Sequence, residues 1–117
     1  MDELVEIHKA LANRNRLRIV ALLMDRPMCV CEVRHVLNLA QPTVTRHLQD
    51  LQRAGLVRSE KNASWMDYRL AQDRSPYTDA LLRPLRKYLA SDPQILKDRA
   101  AARRTDRRTI CAAKPCE

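Results

Sequence analysis

The single glycine of this 117-residue chain, Gly55, stands where the apolar pattern changes period. Ahead of it, Q-P-T-V-T-R-H-L-Q-D-L-Q-R-A repeats apolar residues at helical spacing, so that Val44, Leu48 and Leu51 share one stripe. Pro42 suits the first turn of such a helix, where a missing N–H costs nothing. Gly55 supplies the C-terminal stop. Behind it, L-V-R-S-E, K-N-A-S and W-M-D-Y-R-L alternate with period two, placing Met66, Tyr68 and Leu70 on one side. That pattern predicts a β-hairpin, with Asn62 as the residue at positive φ in its tip. A hairpin directly behind such a helix is a wing.

The rest of the chain reads as helix. Residues 2–11 bring Leu4, Ile7 and Leu11 to one face. Asn13 or Asn15 caps a second helix that runs through Met24, with Leu17, Val20 and Leu23 or Met24 inward. A short third helix, roughly 31–38, presents Val33, Val36 and Leu37 and ends at Asn38. This helix and the next, joined by a tight turn, match a helix-turn-helix. Ser75-Pro76 opens a further helix with Leu81, Leu82, Leu85, Tyr88 and Leu89 as its apolar residues; Pro84 should kink or split it. Asp92-Pro93 starts a stretch rich in Ala and Arg. From about Thr105 the apolar content is too low to hold the tail in place. The expected fold is mainly α with a small β-hairpin, a winged helix-turn-helix. Residues 1–92 form the DNA-binding and dimerisation domain, and 93–117 a basic C-terminal helix with a cysteine-containing tail.

Composition narrows the function. A net charge of +8 favours a polyanionic partner, nucleic acid first. One glycine is too few for a P-loop or a dinucleotide-binding fingerprint, and no nucleophile–base grouping stands out, so an enzyme is not expected. The sequence contains neither a signal-like segment nor an apolar run of roughly eighteen residues, which predicts a cytoplasmic protein with no membrane partner. Four cysteines in that compartment are ligands or reactive thiols rather than a disulfide frame.

With Val44, Leu48 and Leu51 inward, Arg46, Gln49 and Arg53 face away from the core, flanked by Thr43 and Thr45. Arginine pairs with guanine and glutamine with adenine, and the first turn of a recognition helix points deepest into the groove. Gln41, Thr43, Thr45 and Arg46 are therefore expected near bases or adjacent phosphates, with Gln49 on the same face. The bland reading of each is a solvated side chain. Around the wing, Arg58, Lys61, Asn62 and Arg69 are phosphate or minor-groove residues. His47 reads as a packed or phosphate-touching histidine. The basic run over residues 99–108 either lies against phosphates or forms a solvated helix face.

Cys29 and Cys31 form a C-V-C pair just ahead of the helix-turn-helix. Residues i and i+2 of a regular helix point about 200° apart and cannot chelate one ion. Cys29 must then precede the helix, or ligand binding must unwind its first turn. A helix N-terminus favours thiolate, the form that binds metal. Distortion there can displace the adjoining recognition helix.

The segments L-A-N-R-N-R-L-R-I-V-A-L-L, M-C-V-C-E-V, A-Q-P-T-V-T-R-H-L-Q-D-L-Q-R-A-G-L-V and W-M-D-Y-R-L together resemble the ArsR/SmtB family of metal-responsive winged-helix repressors. Within it, C-V-C at this point is similar to the thiol-based sensors, those of arsenical-resistance operons most of all. The resemblance implies a homodimer paired through its first and last helices, bound to double-stranded operator DNA and released by inducer. The implied inducer is arsenite or antimonite, with cadmium, lead or zinc as alternatives. Trivalent arsenic takes three thiolates in a pyramid. Where arsenite repressors often carry a third cysteine, three residues beyond the pair, this chain has Arg34. Cys111 or Cys116 would supply it, from the same subunit or the partner. Otherwise two thiolates bind, with water or an organic group completing the arsenic, or the tail thiols are of no consequence. All four cysteines would also suit a tetrahedral zinc or cadmium site. The zinc-sensing set of His and carboxylates on the last helix has no match, since His8, His35 and His47 all lie in the first half. His35 is the one histidine that would join a Cys/His site. Two other readings stay open: thiol redox sensing, and an architectural DNA binder without ligand.

Overall fold

The structure, a computed structural model, describes residues 1–110. Its elements are α1 (Asp2–Leu11), α2 (Arg14–Asp25), β1 (Met28–Cys29), α3 (Val30–Leu37), α4 (Gln41–Arg53), β2 (Val57–Asn62), β3 (Trp65–Leu70), α5 (Pro76–Leu89), α6 (Pro93–Arg103) and α7 (Arg107–Ile110). The helices surround α2, and the small sheet closes one side. Asn13 caps α2 by accepting a hydrogen bond from Arg16 N–H at 3.1 Å. Ile19 through Leu23 are consecutively buried, because α2 is covered on several sides rather than one. An all-round buried helix has no polar stripe, so spacing alone underestimates its burial.

Val44, Leu48 and Leu51 are fully buried, as their spacing predicts, and seat α4 against Val33 and Leu37 of α3 in one core. Gly55, at φ +80°, ends α4 in a Schellman motif: Leu56 N–H donates to the Leu51 carbonyl and Gly55 N–H to the Gln52 carbonyl, both at 3.0 Å. Asn38 ends α3 in the left-handed region at φ 56°, which an asparagine tolerates better than most residues. The turn into α4 follows at once.

The wing differs from expectation at its tip. Asn62 pairs with Trp65 as the last rung of the β2–β3 ladder, so its backbone is extended. The positive φ falls on Ala63, the first of the two turn residues, at 57°. There is also a third strand. Met28 and Cys29 pair with Tyr68 and Asp67, giving the antiparallel order β1-β3-β2. Two residues are too short to display alternation, which is why β1 has no signature in the sequence.

Helix α5 runs unbroken through Pro84, so the expected split does not occur, and Tyr88 is 73% exposed rather than packed. Helix α6 docks on α2 and α3 through buried Ile95 and Ala102. Buried Asp98 receives a two-pronged pair from Arg18, Nε to Oδ2 at 2.8 Å and Nη2 to Oδ1 at 2.9 Å. That bond holds Arg18 charged, raising its pKa further. The chain past Thr105 is not loose up to residue 110: α7 packs beside α3. A charge pair and one apolar side chain hold it, a combination that average hydrophobicity does not register.

Candidate functional site

The two cysteines sit at the junction of β1 and α3, and Cys31 is disulfide-bonded, against the expectation of ligands or reactive thiols only. Cys29 is the N-cap of α3, in extended conformation at φ −87° and ψ 168°, and Cys31 lies in the first turn. The helix therefore begins after Cys29, one of the two arrangements the C-V-C spacing requires. Glu32, at the third helical position, accepts a hydrogen bond from Cys29 N–H at 3.0 Å, as in a capping box. This carboxylate is itself buried and pairs with Arg26 at 2.8 Å. Arg26 reaches on to the Ala102 carbonyl at 3.1 Å, tying the start of α3 to the end of α6.

Cys29 is fully buried, and half-buried Cys31, Trp65 and Ile110 pack against it in a small apolar cluster apart from the main core. Arg107 lies over the Trp65 ring, its guanidinium carbon 4.8 Å from the centroid, and pairs with Asp67. Asp67 is the ladder partner of Cys29. The thiol corner is thus built from three parts of the chain: the β1–α3 junction, the wing strand β3, and α7. Among the described residues no group of three or more His, Cys, Asp or Glu stands together as a metal site. His35 and Arg34 are both exposed on α3. Cys111 and Cys116 lie outside the described residues.

Sequence reasoning found the thiols but not their surroundings. Glu32 three residues after Cys29 fits the second half of a capping box, but cysteine is not a usual N-cap residue, so the signal is weak. Trp65, Asp67, Arg107 and Ile110 come together only through the wing and α7, and no local pattern announces them.

The second functional surface is the outer face of α4. Gln41, Thr43, Arg46 and Gln49 are exposed and Thr45 is half-buried. Arg53 is exposed but paired to Asp50 at 3.0 Å, and Arg16 holds the other Asp50 oxygen at 2.9 Å. His47 is half-buried beside them, and its Nδ1 has no partner among the described residues. Burial and then the Arg16 charge lower its pKa. On the wing, Lys61 is exposed near the tip, and Asn62 donates to Asp67 at 3.3 Å. Arg58 bends back, donating to the Val57 carbonyl at 3.1 Å and standing 3.4 Å from Asp73. Arg69 pairs with Glu60 at 3.2 Å. The basic run near the C-terminus is not one face. Arg99 is turned inward to Asp25 at 3.0 Å, Arg103 and Arg104 are exposed, and Arg107 belongs to the thiol corner.

A helix-turn-helix with a β-wing behind it and an exposed polar face on its second helix defines a winged-helix DNA-binding regulator. Residues 13–59 match the family described as bacterial regulatory protein, arsR family. The chain is 36% identical over 78 residues to the arsenic resistance transcriptional regulator ArsR1 of Pseudomonas putida, covering 66% of this chain and 61% of that protein. The structure of HlyU from Vibrio cholerae superposes with a TM-score of 0.66 at 32% identity, over 77% of this chain and 95% of that one. A homodimeric winged helix-turn-helix DNA-binding domain from Mycobacterium bovis superposes with a TM-score of 0.65 at 25% identity, over 79% and 82% of the two chains. The chain belongs to the arsR family of transcription regulators. Among the described residues no helix is long and apolar enough to cross a membrane.

Proposed function

We propose that this protein is a cytoplasmic, homodimeric repressor that releases operator DNA when trivalent arsenic or antimony binds Cys29, Cys31 and Cys111. The observation that carries this reading is Cys29, fully buried at the start of α3 in an apolar corner where Cys31, Trp65 and Ile110 pack against it. Cys111, the next residue in the sequence after Ile110, supplies the third thiol in this reading. Soft thiolates in an apolar setting suit a soft metalloid. Each bond formed from arsenous acid replaces one hydroxyl, the thiol proton leaving as water. Cys116 is the reserve ligand.

DNA is held by Gln41, Thr43, Thr45, Arg46 and Gln49 on α4, with Lys61, Asn62 and Arg58 of the wing toward phosphates. The coupling runs through α3. Its first turn carries Cys31, its last ends in the Asn38 turn, and α4 begins directly after. Pulling both cysteines onto one centre distorts the start of α3 and shifts α4 from its DNA-binding pose. Exposed Leu4, Val5 and Tyr77 on α1 and α5 offer an apolar surface for the second subunit.

Native mass spectrometry of the reduced protein with arsenite tests this by counting displaced thiol protons. Loss of three per chain, falling to two in Cys111→Ser, supports the reading. Retention of three in Cys111→Ser but not in Cys116→Ser moves the third ligand to Cys116. Loss of only two in the wild type leaves Cys29 and Cys31 as the whole protein site. No arsenic uptake with tight cadmium, lead or zinc binding makes the protein a divalent-metal sensor. Release of DNA by peroxide alone makes it a redox sensor.

A further inference from the structure

We propose that Arg16 is a positioning residue of the DNA-reading unit, a brace that holds the recognition helix α4 to the end of α1 and so sets the half-site spacing a dimer accepts. This rests on the homodimeric reading above and adds what fixes the distance between the two reading helices.

Arg16 is the third residue of α2, and its own N–H is held by the Asn13 cap. A cation in the first turn stands at the positive end of the helix dipole, where it is disfavoured. Its bonds offset that cost. Nε donates to the Ala10 carbonyl at 2.9 Å and Nη2 to the Lys9 carbonyl at 3.4 Å, so the guanidinium caps the negative end of α1. Nη1 donates to Oδ2 of Asp50, on α4, at 2.9 Å. The side chains of Arg16 and Asp50 are 17% and 28% exposed, so the pair is sheltered from solvent more than a surface salt bridge. Arg53 takes the other Asp50 oxygen at 3.0 Å, which leaves a charged partner on each.

The α1 end of the brace leads to the surface assigned above to the second subunit. His8, next to Lys9, stands 2.7 Å from the Tyr77 hydroxyl of α5, and Leu4 and Val5 are exposed on the same helix. One planar fork therefore joins the element that meets the partner to the element that reads DNA. In a two-fold dimer any play between α1 and α4 occurs twice, once on each side of the axis. One base pair added between half-sites shifts the second by about 3.4 Å and turns it by roughly a tenth of a helical turn. A rigid pair of reading helices rejects that change, and a loosened pair follows it.

The test uses the full-length protein, kept reduced, and a duplex selected by the wild type from a random pool. Affinity is compared on that duplex and on copies with one base pair inserted or deleted between the half-sites. The wild type should lose about a hundredfold on the re-spaced copies. Arg16→Gln and Asp50→Asn should each lose only about tenfold, and the double variant should match the single ones. The altered charge acts on every duplex alike, so the ratio removes it. Arg16→Lys keeps the charge but, as a compact donor, cannot span Ala10 and Asp50 together, and it should tolerate re-spacing as Arg16→Gln does. Base preference within a half-site should stay as in the wild type. A wild-type ratio in Asp50→Asn, or in Arg16→Lys, overturns the brace; Asp50→Asn, on the more exposed partner, decides if Arg16→Gln does not fold. Base preference lost along with spacing preference also overturns it, since α4 would then be unfolded rather than loosened. A wild type that sediments as a monomer and accepts every spacing overturns the homodimeric reading and the brace with it.

Discussion

At the start of α3 the polar groups are bonded inward. Glu32 takes the Cys29 N–H and Arg26, Arg26 reaches the Ala102 carbonyl, and Asp67 holds Arg107. At the start of α4, one tight turn later, the side chains of Gln41, Thr43, Thr45 and Arg46 make no hydrogen bond or ion pair among the described residues. The two ends differ in what their side chains are kept for. A buried polar network can rearrange only as a unit, because leaving one member unpaired is costly. It is suited to a discrete change of state. Unpartnered side chains on a rigid helix lose few protein bonds on meeting a polyanion, and they are suited to reading it.

The contrast requires that both ends hang on one core, and the largest predicted effect tests this. Leu48→Ala should cost about 2–5 kcal/mol in urea unfolding, because Leu48 is fully buried beneath α4. A loss below about 1 kcal/mol would mean that α4 is not seated in the common core.

Arg46→Ala sharpens the reading end. On DNA selected by the wild-type protein from a random pool, it should weaken binding by about 1–3 kcal/mol per half-site and relax preference at one base position. Uniform weakening across sequences, with the salt slope reduced by about one, would move Arg46 to a phosphate. Thermal stability should barely change, since Arg46 is exposed and lacks a protein partner among the described residues.

The smallest effect concerns His47, which lies between the two rules: on the reading helix but half-buried. Burial, and then Arg16, push its folded pKa below the ordinary 6.5, against the opposing pull of Asp50. As pH falls, the unfolded chain takes the proton first. His47 therefore contributes stability above about 6.5 that is lost as pH falls through its depressed folded pKa. His47→Gln should flatten the stability profile in that acidic window and leave the slope above neutrality unchanged. An unaltered acidic slope would mean that His47 is open to solvent.

Much of the reading end was legible because its signals are local. Pro42 and Gly55 bracket α4, and Val44, Leu48 and Leu51 orient it, so its outward residues follow by rotation. The wing was legible for the same reason, except at its tip. There the register decides that Ala63 rather than Asn62 takes the positive φ. The thiol corner was half legible. For both cysteines to share one ion, Cys29 must precede α3 or the first turn must unwind, and Cys29 is the N-cap ahead of it. Its walls were not, because Trp65, Arg107 and Ile110 come from distant segments whose meeting leaves no periodic trace.

The sequence by itself determined the helices, their inward stripes, the wing and the place of the thiol pair, since these follow from apolar period, caps and residue type within a few turns of chain. Only the tertiary structure decided that β1 joins the wing, that α2 is buried on several sides, and that Ile110 of α7 packs against Cys29. Those outcomes depend on ladder pairing and on single long-range charge and ring contacts. Their energies arise only when remote residues meet.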